Sequence, residues 1–193
     1  MDKGLKVKDL INVGIFTAIY FVVFFASGMI GYIPIFMVLL PFILPVATGI
    51  PFMLYLTKVK KFGMITITGI IVSLIMFTTG HSWTVVAIGI PCGMIADLIF
   101  KSGDYKSWGK TLSGFVVFSQ WIIGAMLPMW IMRDSYFEYV RKGYGDAYTD
   151  TLMSLMSGWM LAVLIALSVI GSVIGAYIGR AALKKHFKRA GIV

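Results

Sequence analysis

Apolar residues run along this chain in long, nearly uncharged blocks separated by short polar punctuation, with neither the strict alternation of a half-buried strand nor the single apolar stripe of a soluble helix. A helix needs about 20 such residues to cross roughly 30 Å of hydrocarbon. The blocks predict six membrane spans, Leu10–Ile30, Ile33–Thr57, Phe62–Thr79, Ser82–Phe100, Trp108–Met132 and Thr151–Leu183. The connections after the first and third spans are short, so those pairs are expected to be antiparallel neighbours. Between the fifth and sixth spans lies a polar segment, Arg133 to Asp150, with five aromatic residues and charges of both signs, read as a long loop.

Composition agrees with the pattern. Hydrophobic residues make up 59% of the 193, and charged residues only 13%, about half the share in a soluble domain. A soluble fold of this size could not bury that much apolar surface. The fold class is therefore an all-α integral membrane protein, a bundle of six transmembrane helices in one membrane domain over residues 1–193. The first block has no clear small-residue cleavage site and is expected to be a retained helix rather than a signal peptide. The lone Cys92 excludes an internal disulfide framework.

Charge fixes the orientation. Lys3, Lys6 and Lys8 precede the first span, Lys58, Lys60 and Lys61 follow the second, and Lys101, Lys106 and Lys110 lie between the fourth and fifth. Arg180, Lys184, Lys185, Lys188 and Arg189 close the last span, so 14 of the 17 basic residues fall on one side. By the positive-inside rule that side is the cytoplasm, and both termini lie there. The net charge of +9 is accounted for by topogenesis and by attraction to anionic membrane lipid, so no nucleic-acid partner is expected.

Catalytic and energising machinery is not legible. Asp97 is the one acidic residue inside a predicted span, one turn before Lys101, and a structural role there outweighs a transport role. Ion-coupled carriers usually place several ionisable groups in the membrane. The chain has no glycine-rich phosphate loop with its lysine, no Gly-x-Ser-x-Gly elbow and no paired carboxylates set for hydrolysis. Its two histidines, His81 and His186, cannot assemble a multi-histidine metal site. The expectation is a protein that is not an enzyme, with no catalytic residue, resident metal or cofactor.

The remaining polar and aromatic groups gather toward the outer face. His81 and Trp83 sit in the uncharged turn Thr78 to Trp83, where an imidazole, hydroxyls and an indole can hydrogen-bond and stack on a ligand. Gln120 and Trp121 lie mid-span in the fifth helix, where an amide facing lipid is costly, so Gln120 must face protein, water or ligand. Trp130 begins the aromatic cluster of the polar segment. These five residues are the candidate substrate contacts, with Tyr136 and Phe137 as a lid. Pro34, Pro41, Pro45 and Pro51 crowd the second span, so that helix is expected to kink and to gate the site together with Tyr32. Gly14 and Ala18 on the first helix, and Gly171, Gly175 and Gly179 on the last, recur every four residues and make shallow grooves suited either to internal packing or to a partner subunit.

Six spans, inside termini, the small-residue stripe on the first helix and the ending Gly-Arg-Ala-Ala-Leu-Lys-Lys-His-Phe-Lys-Arg-Ala-Gly-Ile from Gly179 to Ile192 resemble the MptD-like (Trep_Strep) S components of energy-coupling factor transporters. The resemblance implies a multi-pass protein of a bacterial cell membrane that captures a vitamin or other micronutrient from outside. It also implies partners, a transmembrane coupling subunit and two cytoplasmic ATPases. The docking motif of such subunits is Ala-xxx-Ala, and Gly14 stands here in place of the first alanine. An aromatic, charge-poor site favours a flat, largely apolar small molecule over a phosphorylated one. Haem is one such ligand, with His81 and a methionine as axial groups. The alternatives are a stand-alone carrier or channel, and a structural membrane protein with no small ligand.

Overall fold

The structure, a computed structural model, describes residues 4–187; Lys3 and the tail from Lys188 onward lie outside the described residues. The described chain is α-helical in nine segments, α1 (Val7–Gly28), α2 (Pro34–Leu56), α3 (Met64–Thr78), α4 (Thr84–Ser102), α5 (Trp108–Ser119), α6 (Trp121–Met126), α7 (Pro128–Ile131), α8 (Arg133–Leu155) and α9 (Met160–Ala182), the last followed by a π-helical turn, Leu183–Phe187. A 3-10 turn, Met29–Tyr32, carries α1 into α2. Five spans are long and apolar enough to cross a membrane, and the 15-residue α3 is a sixth, shorter apolar helix. The fifth predicted span is one 24-residue crossing, Trp108–Ile131, in three pieces. Its breaks fall at Gln120 and at Leu127, just before Pro128, whose ring cannot continue the hydrogen-bond ladder.

The expected loop is not a loop. Residues from Arg133 form α8, which also takes Thr151–Leu155 from the predicted last span, so the last crossing starts at Met160. Low hydropathy hid the helix, although its inner face repeats at helical spacing in Met132, Tyr136 and Val140, then in Tyr144, Tyr148 and Leu152. Gly145, at φ 80° and ψ 175°, interrupts the helix in a conformation that suits glycine. The two halves fold back on each other. Arg133 donates to the carbonyl oxygens of Met156 at 2.7 Å and Met153 at 3.1 Å, and Arg141 pairs with Asp146 and with Asp150 at 2.6 Å. α8 is thus a helical hairpin on the outer end of the bundle.

Contacts sort the connections into two ends. Lys61 donates to the Gly4 carbonyl and to Asp9, each at 2.8 Å; Lys101 lies over Phe62; and Arg180 lies 4.2 Å from the Trp108 ring centroid. This is the lysine-rich, cytoplasmic end. At the other end Tyr148 donates to the Gly31 carbonyl at 2.8 Å, and the Ser82 hydroxyl donates to the Met132 sulfur at 3.6 Å.

Two features hold the bundle. Phe52, fully buried, meets the rings of Tyr20, Tyr55, Phe100, Phe115 and Phe118 at its centre. Along one side, α2 and α9 approach until their backbones touch. A Cβ on Gly175 would lie 2.2 Å from the Pro45 carbonyl oxygen, one on Gly171 2.4 Å from that of Phe42, and one on Gly179 2.5 Å from that of Gly49. The glycine stripe of α9 is therefore an internal seam and not a docking face. α2 runs unbroken from Pro34 to Leu56 with Pro41, Pro45 and Pro51 buried, which makes it a wall of the bundle.

Asp97 has a structural assignment as well. From α4 its Oδ2 accepts the Gly63 amide at 2.7 Å and the Thr66 amide and hydroxyl, both at 3.0 Å. The carboxylate caps the N-terminus of α3, where free amides and the helix dipole favour negative charge. Lys101, one turn further along α4, lies over the Phe62 ring.

Candidate ligand-binding site

Beneath the α8 hairpin lies a cavity of about 800 Å³, within the range of small-molecule sites. Five parts of the chain build it, one of them α6 and α7 with Ala125 and Pro128. The outer end of α1 and the following turn supply Phe24, Phe25, Gly28, Met29 and Tyr32, and α2 supplies Met37, Leu40 and Leu44. The turn between α3 and α4 supplies Thr79 to Trp83. At 1.5 Å rise per residue α3 is about 22 Å long, short of the roughly 30 Å of hydrocarbon, so its outer turn is free to serve as wall. The roof comes from α8, with Ser135, Tyr136, Tyr139, Val140, Tyr144, Tyr148 and Leu152.

The roof is latched to the α1–α2 turn. Tyr148 donates to Gly31, Tyr144 stacks on Tyr148, and the rings of Tyr32 and Tyr144 lie 5.9 Å apart. The floor rests on the core. Phe24 lies 4.7 Å from the Trp121 ring, and the Trp121 indole donates to the Tyr20 hydroxyl at 3.0 Å.

No Asp, Glu, Lys or Arg is among the lining residues. Burial raises the pKa of Tyr136, Tyr144 and Tyr148, keeping these phenols protonated. Crowding by protein lowers the pKa of His81, outweighing the opposite effect of the Met76 carbonyl, so its imidazole is neutral at physiological pH. The cavity is thus an uncharged, aromatic and thioether-rich chamber with a few hydrogen-bonding atoms.

The candidate residues divide on this geometry. His81, Trp83, Tyr32 and Tyr136 line the cavity. Gln120 does not; its amide donates to the Val116 carbonyl and the Ser168 hydroxyl, both at 3.1 Å, and so ties α5 to α9. Trp121 is buried below the floor, and Trp130 donates to the Ser157 carbonyl at 3.0 Å, holding α7 to the connection between α8 and α9. Phe137 is buried inside the hairpin beneath Arg133, and Pro34 is the first residue of α2 rather than a lining residue. Sequence reasoning missed Phe24 and Phe25 of α1 and Tyr144 and Tyr148 of α8; the four-residue aromatic spacing of α8 was the signal that could have found the tyrosines. Gly14 and Ala18 are exposed on the outer surface of α1, and a Cβ on Gly14 would meet nothing within 4 Å.

Comparison with known families finds one described as a hypothetical bacterial integral membrane protein (Trep_Strep), whose model matches residues 7–189. No curated protein and no solved structure matches the chain.

Proposed function

We propose, from the premise that this chain belongs to the Trep_Strep family of bacterial integral membrane proteins, that it is the substrate-binding S component of an energy-coupling factor importer. The observation that carries the reading is the roofed, uncharged cavity at the outer end of the bundle, open to a small molecule arriving from outside. Its volume suits a vitamin-sized ligand, and its rings and thioethers suit a flat, largely apolar one, of which haem is an example. In this reading the protein is not an enzyme. ATP hydrolysis comes from two partner ATPases through a transmembrane coupling subunit, and the exposed Gly14–Ala18 face of α1 is where that subunit docks.

The test is reconstitution. Proteoliposomes holding this chain with its coupling subunit and ATPases accumulate the ligand only with ATP, whereas the chain alone binds ligand without accumulating it. Gly14→Leu fills the α1 groove, so complex assembly and uptake fall together while ligand binding by the isolated subunit is kept. Accumulation by the chain alone would make it a stand-alone carrier. Loss of ligand binding in Gly14→Leu would assign the stripe to internal packing.

A further inference from the structure

Sharing much of the cavity's wall is a smaller chamber of about 80 Å³ whose lining includes His81, Met37, Met76 and Met126; the first three also line the larger cavity. His81 is held in one tautomer. Its Nδ1 lies 3.2 Å from the Met76 carbonyl oxygen, which can only accept a hydrogen bond, so Nδ1 carries the proton and Nε2 keeps its lone pair. Among the described residues no other side chain hydrogen-bonds His81. An Nδ1–H bound to a backbone carbonyl is the arrangement that orients an imidazole to ligate a metal through Nε2. Met132 is excluded from the set because its sulfur, at the rim, already accepts from Ser82.

The donor groups among the lining residues are one neutral imidazole, uncharged sulfurs and the Tyr136 phenol, with no carboxylate or thiolate. Thioethers discriminate strongly. They bind soft centres such as monovalent copper and are poor ligands for calcium, magnesium or zinc, which prefer oxygen, imidazole or thiolate. Packing alone would be served by leucine, whereas here three methionines line one pocket with an imidazole whose Nε2 has no hydrogen-bond partner among the described residues. Resting on the binding-subunit reading above, we infer that the chamber recognises a soft metal centre through His81 Nε2 and a methionine thioether. The centre is either bare monovalent copper or the metal of a flat chelate held in the larger cavity, whose wall His81, Met37 and Met76 also form.

The full-length protein in detergent distinguishes the sources. It is titrated with copper held monovalent by ascorbate against a chromogenic copper chelator, and separately with an iron porphyrin and its metal-free counterpart, followed by absorbance. Copper binding identifies the bare ion; binding of the iron porphyrin at least tenfold tighter than the metal-free ring identifies the chelate. In either case His81→Ala and the pair Met37→Leu with Met76→Leu weaken binding at least tenfold. The leucines nearly conserve volume, so thermal unfolding stays close to that of the parent and reports that the fold is intact. The inference is overturned if neither copper nor the iron porphyrin binds, if the metal-free porphyrin binds equally well, or if the variants bind unchanged. A metal-free molecule that co-purifies and is taken up with ATP would overturn this inference alone, leaving the binding-subunit reading in place.

Discussion

Asp97 and His81 carry opposite assignments at opposite ends of the molecule, and each gives a prediction. Removing the Asp97 carboxylate leaves the Gly63 and Thr66 amides at the start of α3 without their acceptor. Asp97→Ala should therefore cost about 1 to 3 kcal/mol, the usual range for orphaning buried polar groups, seen as a lower unfolding temperature in detergent. Ligand affinity should not change, because the cavity lies at the other end. Intact stability combined with abolished transport would instead make Asp97 a coupling group. For His81 the prediction concerns pH. Ligation through Nε2 needs the neutral ring, protonation competes with it, and crowding holds the His81 pKa below the usual value of about 6.5. No carboxylate or basic side chain lines the cavity to offset this. Affinity measured by titration should be flat from about pH 8 down to about 6.5 and then fall by up to about tenfold per unit once pH passes below the His81 pKa. A plateau extending to pH 4 would remove His81 from the site. Asp97 and His81 could both be singled out in the sequence, the first as a lone carboxylate in an apolar span and the second as an imidazole in a turn without charges. The partners of Asp97 could not, because a cap supplied across helices from 31 or more residues away leaves no local spacing to read.

Two small-residue stripes look alike in sequence and part company as elements. On α9 each glycine sits against a backbone carbonyl of α2, while on α1 Gly14 faces open space. Gly175→Ala should destabilise by about 1 to 3 kcal/mol, the range for overpacking a tight contact, whereas Gly14→Ala should leave the unfolding temperature unchanged. Equal effects would contradict the assignment of seam and free face. The α8 hairpin makes a kinetic prediction. Tyr148→Phe removes the hydrogen bond that latches the roof to Gly31, and at about 0.5 to 1.5 kcal/mol for such a bond ligand release should speed by about two- to tenfold in a stopped-flow chase. An unchanged release rate would mean that the roof does not open at this latch. The spans of α1 to α4 were readable to within a few residues, because apolar length in lipid has one helical solution. The hairpin was not readable from hydropathy, since only its inner face is apolar and its outer face carries Glu138, Lys142, Asp146 and Asp150.

At the scale of the whole molecule, charge asymmetry sets the orientation and the cavity then faces outward. A cysteine placed at Ser135, on the roof, should react with an impermeant thiol reagent in intact cells, and one at Ser102, beside the lysine-rich loop, should not; the reverse pattern would invert the molecule. The candidate site was half legible at this scale. Its outer location and its His81, Trp83 and Tyr136 wall followed from topology and polarity, but the share taken by α1 and α2 depends on how the helices pack. Mid-span polar residues such as Gln120 proved to be ties between helices, the alternative that a costly amide in lipid always leaves open. A substrate-binding subunit must hold a captured small molecule in its outer cavity. This requirement is tested most directly by native mass spectrometry of the gently purified protein beside Ala125→Phe, a substitution that fills the cavity wall. The expected result is a small molecule bound to the parent protein and absent from the equally folded variant. A parent protein with no such mass, or a variant that retains it in full, would contradict the binding-subunit reading.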